Sequence, residues 1–291
     1  MADKKEVRWV TESLYEGDGF TCAFRADRVL YEENTGEQHL VIFDNALFGR
    51  MMALDGITQV TARDEFIYHE MMTHVPILAH GRVRHVLIIG GGDGGILREV
   101  LRHKGIEKVT MVEIDPAVTE FAKAHMPQIS AGAFDDPRLD LVFADGAKFV
   151  EETGDSYDVV IVDSTDPIGP GEVLFREEFY RAVKARLTPG GILVTQNGVP
   201  FMQGTELAGT IGKFRRLFRV ATCYLATIPT YVGGPMAMGW GTDDESLAAL
   251  TVEELMQRFA AAGFSTRYYT PDTHKAAFAL PRYVLDLVEN A

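Results

Sequence analysis

From residue 81 onward the chain alternates short apolar runs with helix-like segments, and this constrains its fold more than any other feature. The runs are HVLIIG (residues 85–90), KVTMVEID (108–115), LDLVFAD (139–145), YDVVIVD (157–163) and GGILVTQN (190–197). Each is short, rich in β-branched residues and too continuously apolar to have a wet face, as buried strands of a parallel sheet are. Helical spacing occupies 95–103, 116–125, 147–153 and 174–187 between them. The order βαβαβαβαβ predicts an α/β fold with a mostly parallel, doubly wound sheet. The tail adds a helix over 205–218, strands over 220–228 and 236–242, and a helix over 251–262.

The first sixty residues read differently. Aromatic and β-branched residues alternate with polar ones in FTCAFRADRVLYEE, HLVIFDNALFGRMMAL and ITQVTA, punctuated by Asn34, Gly36, Asn45, Gly49 and Asp55-Gly56. This predicts a small antiparallel sheet of hairpins. Residues 63–78 then take helical spacing, with an expected end near Pro76. The expected organisation is an N-terminal β-hairpin domain (1–62), a connecting helix and linker (63–80) and a Rossmann-like domain (81–291). So small a sheet cannot bury both faces alone, which leads us to expect at least a homodimer.

Composition excludes several classes. The 291 residues are 46% apolar, ample for a core, and 42 Asp and Glu against 28 Lys and Arg leave a net charge of −14. With no basic tract, nucleic acid is excluded as the expected partner. The N-terminus, MADKKEVRW, lacks a signal-peptide run and no apolar segment approaches the roughly 18 to 20 residues of a membrane span, so a cytoplasmic protein is expected. The two cysteines, Cys22 and Cys223, have no metal-like spacing and read as buried free thiols.

Acids cluster where such sheets bind ligands. Asp163 ends the fourth run and Asp166 follows on a turn stiffened by Pro167 and Pro170; two acids at a sheet mouth can hold a cation or take a proton. Gly90-Gly91-Gly92-Asp93-Gly94-Gly95 follows a strand and opens a helix, the context of a nucleotide-binding turn. Asp93 within it would meet a pyrophosphate with like charge, so the turn argues against a dinucleotide and for a ligand bearing a positive group. Glu113 stands 23 positions after Gly90, near the spacing of roughly 20 at which an acid accepts from ribose hydroxyls, and Asp145-Gly146 can bond an adenine amino group. Taken singly, each acid can equally cap the helix that follows it. Four successive strands ending on acid-bearing turns point instead to one nucleoside site with cationic neighbours.

RDEFIYHEM (63–71), GGGDGG, MVEID, DDPR (135–138), ADG, VDSTDPIGP and IPTY (228–231), in this order along nearly the whole chain, resemble the spermidine synthase family of polyamine aminopropyltransferases. The resemblance implies a methyltransferase-like Rossmann domain behind a small β domain. It implies transfer of an aminopropyl group from decarboxylated S-adenosylmethionine, as co-substrate, to putrescine, with no metal and no other cofactor. It implies Asp163 as proton acceptor and Tyr68, His69, Asp93, Ser164, Thr165, Asp166, Gln59 and Tyr231 around the amines. Gln38, Gly90, Gly92, Asp93, Glu113, Asp145, Gly146 and Pro170 would hold the donor. Ala62 stands where many relatives carry Glu.

The chemistry fits independently. An amine attacking a carbon beside a sulfonium expels a neutral thioether, so neither general acid nor metal is required. What is required is a free amine, and an alkylamine with a pKa of ~10.4 needs a carboxylate to bind it and accept its proton. His69-Glu70 followed by His74 imitates a zinc helix, but the second histidine falls five residues on, about 140° round the helix. A methyltransferase using intact S-adenosylmethionine on putrescine and a non-catalytic polyamine-binding protein are the competing readings. Asp93 disfavours the first through repulsion of the donor carboxylate, and the nucleoside acids disfavour the second.

Overall fold

The computed structural model describes residues 7–34, 39–164 and 169–291. Strands β1 (Arg8–Glu12) and β2 (Cys22–Ala26) pair as a two-stranded antiparallel sheet. Strands β3 (Arg28–Asn34), β4 (His39–Asn45), β5 (Gly49–Leu54) and β6 (Ile57–Thr61) form a four-stranded meander. The N-terminal segment is therefore two sheets, not one. Asp55 and Gly56, both with positive φ, make the two-residue turn between β5 and β6 that such a dipeptide favours.

Helix α1 (Glu65–His80) follows, with fourteen of its sixteen residues buried. Here the expected stop at Pro76 is wrong: Pro76 lies inside the helix, which ends where Gly81, at φ 76°, donates its N–H to the Ile77 carbonyl. Packing on nearly every side outweighs the ~3 kcal/mol that an interior proline costs. The same packing leaves the helix buried almost all round, with no wet face.

The main sheet contains β7 (His85–Gly90), β8 (Lys108–Glu113), β9 (Leu139–Phe143), β10 (Tyr157–Asp163), β11 (Leu187–Gln196), β12 (Val220–Ala226) and β13 (Met236–Thr242). Their order is β12-β13-β11-β10-β7-β8-β9, and β13 alone runs against the others. The helices are α2 (Gly95–Leu101), α3 (Pro116–His125), α4 (Pro127–Ser130), α5 (Gly146–Glu152), α6 (Glu177–Arg186), α7 (Pro200–Leu217), α8 (Val252–Ala262), α9 (Pro271–Ala277) and α10 (Arg282–Glu289). Alternate strand residues feed two cores: Val86, Ile88, Val159 and Ile161 pack with α1 and α2, and Leu87, Ile89, Val160 and Val162 with α6 and α7. Burial on both faces explains the unbroken apolar runs. The meander packs through Leu40, Met52 and Val60 against Val118, Met126 and Ile129 of α3 and its neighbours. Of the thiols, Cys223 is buried but Cys22 is only half-buried, a partial correction to the expectation.

The chain runs from β7 to β8 and β9 on one side, then crosses back to place β10 on the other side of β7. That reversal is a topological switch point, where open α/β sheets form ligand crevices. Replacing Ile161, fully buried in β10, with alanine should destabilise the protein by about 2–5 kcal/mol. Urea unfolding should show a lower midpoint with an unchanged slope.

Candidate active site

At the switch point, the last residues of two strands are register partners, Gly90 of β7 and Asp163 of β10. A cavity of about 260 Å³ opens above them. It is lined by Gly90, Gly92 and Asp93 from the glycine turn, Glu113 from β8, Asp145 and Gly146 from the start of α5, Asp163 from the end of β10 and Ser164 just past it. Tyr68 and His69 of α1, Gln59 of β6 and Tyr231 of the β12–β13 connection complete the predicted set. Gln38, Thr165 and Asp166 lie outside the described residues, as does the side chain of Pro170.

Asp163 sits at the centre. Tyr68 donates its hydroxyl to Asp163 Oδ1 at 2.5 Å, and the Tyr68 ring meets Tyr231 edge-on at 6.2 Å. Burial, reinforced by the nearby Asp93 charge, pushes the Asp163 carboxyl up to about 6, against the pull of Tyr68 and His69. Burial and the adjacent Asp163 charge push the Tyr68 phenol well above its ordinary range, so it is a donor and not a base.

Asp93 is tied down from two sides. Its Oδ1 accepts the Gly95 N–H at 2.7 Å, and its Oδ2 lies 3.3 Å from His69 Nε2. Gly95 is required by close approach, since a Cβ there would stand 2.1 Å from the His69 ring. Burial opposes ionisation of Asp93, but His69 and the Gly95 amide win and hold its pKa below the ordinary value. His74 faces elsewhere, with Nε2 3.0 Å from Glu99 and Nδ1 3.0 Å from His103 Nε2.

The other half of the cavity suits a nucleoside. Glu113 accepts the Asp115 N–H at 3.0 Å through one oxygen, and burial raises its pKa to about 7. Asp145 caps α5, accepting from Ala147 N–H at 2.9 Å and Lys148 N–H at 3.3 Å, while also lining the cavity. Capping and ligand roles are thus not alternatives here. The Gln59 side chain turns back to donate to the Ile57 carbonyl at 3.1 Å, and the Gln59 backbone carbonyl accepts the Tyr231 hydroxyl at 2.5 Å. The Ser164 carbonyl accepts Gln196 Nε2 at 3.1 Å.

Several lining residues carry no signal that sequence reasoning used. Glu12, whose carboxylate accepts from Leu14 and Thr58 amides, and Tyr15, which donates to Gln203 Oε1 at 2.8 Å, come from the N-terminal segment. Nothing local marks them, because only the tertiary fold brings them to the cavity. Glu65 was legible, as an acid four residues before His69 on one helix face.

Because folding raises the Glu113 and Asp163 pKa values above their ordinary values of 4.5 and 3.8, the folded state binds more protons than the unfolded chain between those values and about 7. Their contribution to stability is full below the ordinary values and is lost as pH rises through the folded ones. Thermal melts should show Glu113→Gln flattening the fall in Tm between pH 5 and about 7.5, and an unchanged slope would refute the assignment.

Comparison with known proteins agrees with this geometry. A family model described as "Spermine/spermidine synthase domain" matches residues 65–250, and one described as "Spermidine synthase tetramerisation domain" matches residues 8–62. A polyamine aminopropyltransferase of Ruegeria sp. is 59% identical over 97% of this chain and 99% of its own. Polyamine aminopropyltransferase 1 of Pseudomonas aeruginosa is 57% identical over 95% of this chain and 96% of its own. A spermidine synthase solved with the transition-state analogue AdoDATO superposes with a TM-score of 0.91 at 35% identity, covering 100% of this chain and 99% of that one. The Thermotoga maritima spermidine synthase gives a TM-score of 0.88 at 33% identity, with 99% and 98% covered. With matched residues spanning most of its length and relatives more than half identical across nearly all of it, the chain belongs to the spermine/spermidine synthase family.

Proposed function

We propose that this protein transfers the aminopropyl group of decarboxylated S-adenosylmethionine to putrescine, releasing spermidine and 5'-methylthioadenosine. One observation carries the reading: Asp163, half-buried with a pKa raised to about 6, shares a single cavity with Asp93 on its amine side and with Glu113 and Asp145 on its nucleoside side. Relatives named polyamine aminopropyltransferase, and a structural neighbour that binds a transition-state analogue, support it.

Glu113 accepts the ribose hydroxyls, Asp145 takes the adenine amino group, and Gly90, Gly92 and Gly146 allow close approach of the donor; Gln38 and Pro170 are assigned to the same half. Tyr68 aims Asp163 at the attacking nitrogen, and Asp163 accepts its proton as the new C–N bond forms and the sulfonium leaves as a thioether. Asp93 with His69, together with Ser164, Thr165, Asp166, Gln59 and Tyr231, holds the acceptor. The leaving group is neutral, so this scheme calls on no metal and no cofactor beyond the donor. Free thiols at Cys22 and Cys223 support a reducing, cytoplasmic setting.

Incubation with decarboxylated donor and putrescine should yield methylthioadenosine and spermidine by mass, and product from intact S-adenosylmethionine alone would favour methyl transfer. Asp163→Asn should lower kcat by ~10²- to 10⁴-fold, the range for loss of a general base. Only the carboxylate accepts a proton, so native kcat at saturating donor should fall about tenfold per unit below pH about 6. Near-native kcat in Asp163→Asn with a raised KM would reassign the residue to binding.

We also propose a homo-oligomer, at least a dimer. Among the described residues β1 and β2 pair only with each other, Val7 and Trp9 at the start of this ribbon are each 57% exposed, and residues 8–62 match the tetramerisation model. Sedimentation at micromolar concentration should give a mass of at least two chains, and a stable monomer would refute it.

A further inference from the structure

Both ring nitrogens of His69 face carboxylate oxygens in a site where its side chain is 2% exposed. Nδ1 lies 2.6 Å from Glu65 Oε2, and Nε2 lies 3.3 Å from Asp93 Oδ2. Arg98 of α2 grips the Glu65 carboxylate in a fork, Nη2 to Oε2 at 2.9 Å and Nη1 to Oε1 at 3.3 Å. Arg98 is itself anchored by Glu99 Oε1 at 2.8 Å and the Ile129 carbonyl at 2.5 Å. The remaining titratable neighbours are Tyr68, whose ring centroid is 5.6 Å away, and Asp163 beyond it.

The donor inventory fixes the charge. An arginine stays protonated, so Glu65 is held as an anion, and an ionised carboxylate can only accept. A neutral imidazole has one N–H and would turn a lone pair toward one of the two acids. Both contacts are hydrogen bonds only if the ring is an imidazolium. Burial penalises that cation, yet the two carboxylates outweigh the penalty and raise its pKa to about 10.

Resting on the aminopropyl-transfer reading, we propose that Glu65, clamped by Arg98, is a positioning residue that keeps His69 an imidazolium and thereby fixes the Asp93 carboxylate for the acceptor. The group Asp93, Asp163 and His69 then carries one net negative charge. That matches an acceptor with one ammonium left while its other nitrogen attacks. Without Glu65 the ring loses its shorter carboxylate contact, reverts toward neutral, and weakens the hold on Asp93 Oδ2, leaving the Gly95 N–H on Oδ1.

The test combines a titration with kinetics on the full-length protein. In NMR of ¹⁵N-histidine-labelled protein, with the resonance assigned by its loss in His69→Gln, native His69 should stay charged from pH about 6 to about 9. In Glu65→Gln it should titrate inside that window, and kcat/KM should fall ~10²-fold with a new pH-dependent limb. Glu65→Asp retains the charge but shortens the reach, so kcat/KM should fall ~10-fold with the pH profile unchanged. A native His69 that titrates in the window, a Glu65→Gln ring that does not, or a Glu65→Asp enzyme with native kinetics would each overturn the proposal. Should Glu65→Gln fail to fold, by circular dichroism, the native titration and Glu65→Asp decide. If native protein forms no methylthioadenosine, the functional reading falls while the titration still reports on the clamp.

Discussion

The parallel pairing of β7 with β10 is the constraint on which the site depends. It sets Gly90 against Asp163, so the glycine turn and the Asp163 carboxylate leave the sheet side by side and line one cavity. A one-residue slip would turn Asp163 to the opposite face and pull Asp158 away from the Arg84 and His85 amides, from which it accepts at 2.8 and 3.1 Å. The pairing that builds the sheet therefore also fixes where the Asp163 carboxylate stands.

Desolvation then acts differently on each acid. For Asp163 and Glu113 burial outweighs the groups that oppose it, and their pKa values rise to about 6 and about 7. Asp93 and Glu65 are as secluded but lie against His69 and Arg98, and pairing wins. A base must be able to gain a proton near neutral pH, and a cation holder must not. Adjacent carboxylates are thus separated into two roles by their partners alone.

The strand ends were legible because buried parallel strands leave an unbroken apolar signature that stops abruptly on a turn. Hence Asp93, Glu113, Asp145 and Asp163 were all assigned to one edge, where the cavity gathers them. His69 and Tyr68 were assigned only through family resemblance, since a histidine on a helix announces nothing until its neighbours are known. Pro76 misled because local rules for proline cannot register a helix packed on nearly all sides. Glu12, Tyr15 and Gln203 escaped notice because no periodicity records a contact between residues 188 positions apart.

Those three residues alter the meaning of the N-terminal segment. Tyr15 and Glu12 line the cavity, and Tyr15 binds Gln203 at the irregular start of α7, where φ −117° and ψ 34° break the helical path. Gln203 Oε1 also accepts the Val199 N–H at 3.0 Å, so the break is held by the amide that meets Tyr15. The β6–α1 junction is joined similarly, with Asp64 accepting from Thr61 at 2.6 Å and from the Thr230 amide at 2.9 Å. Each link connects the small sheets to a loop at the carboxyl edge of the large one. A segment that served assembly alone would have no need of polar contacts converging on the cavity wall, so the β domain helps to build that wall.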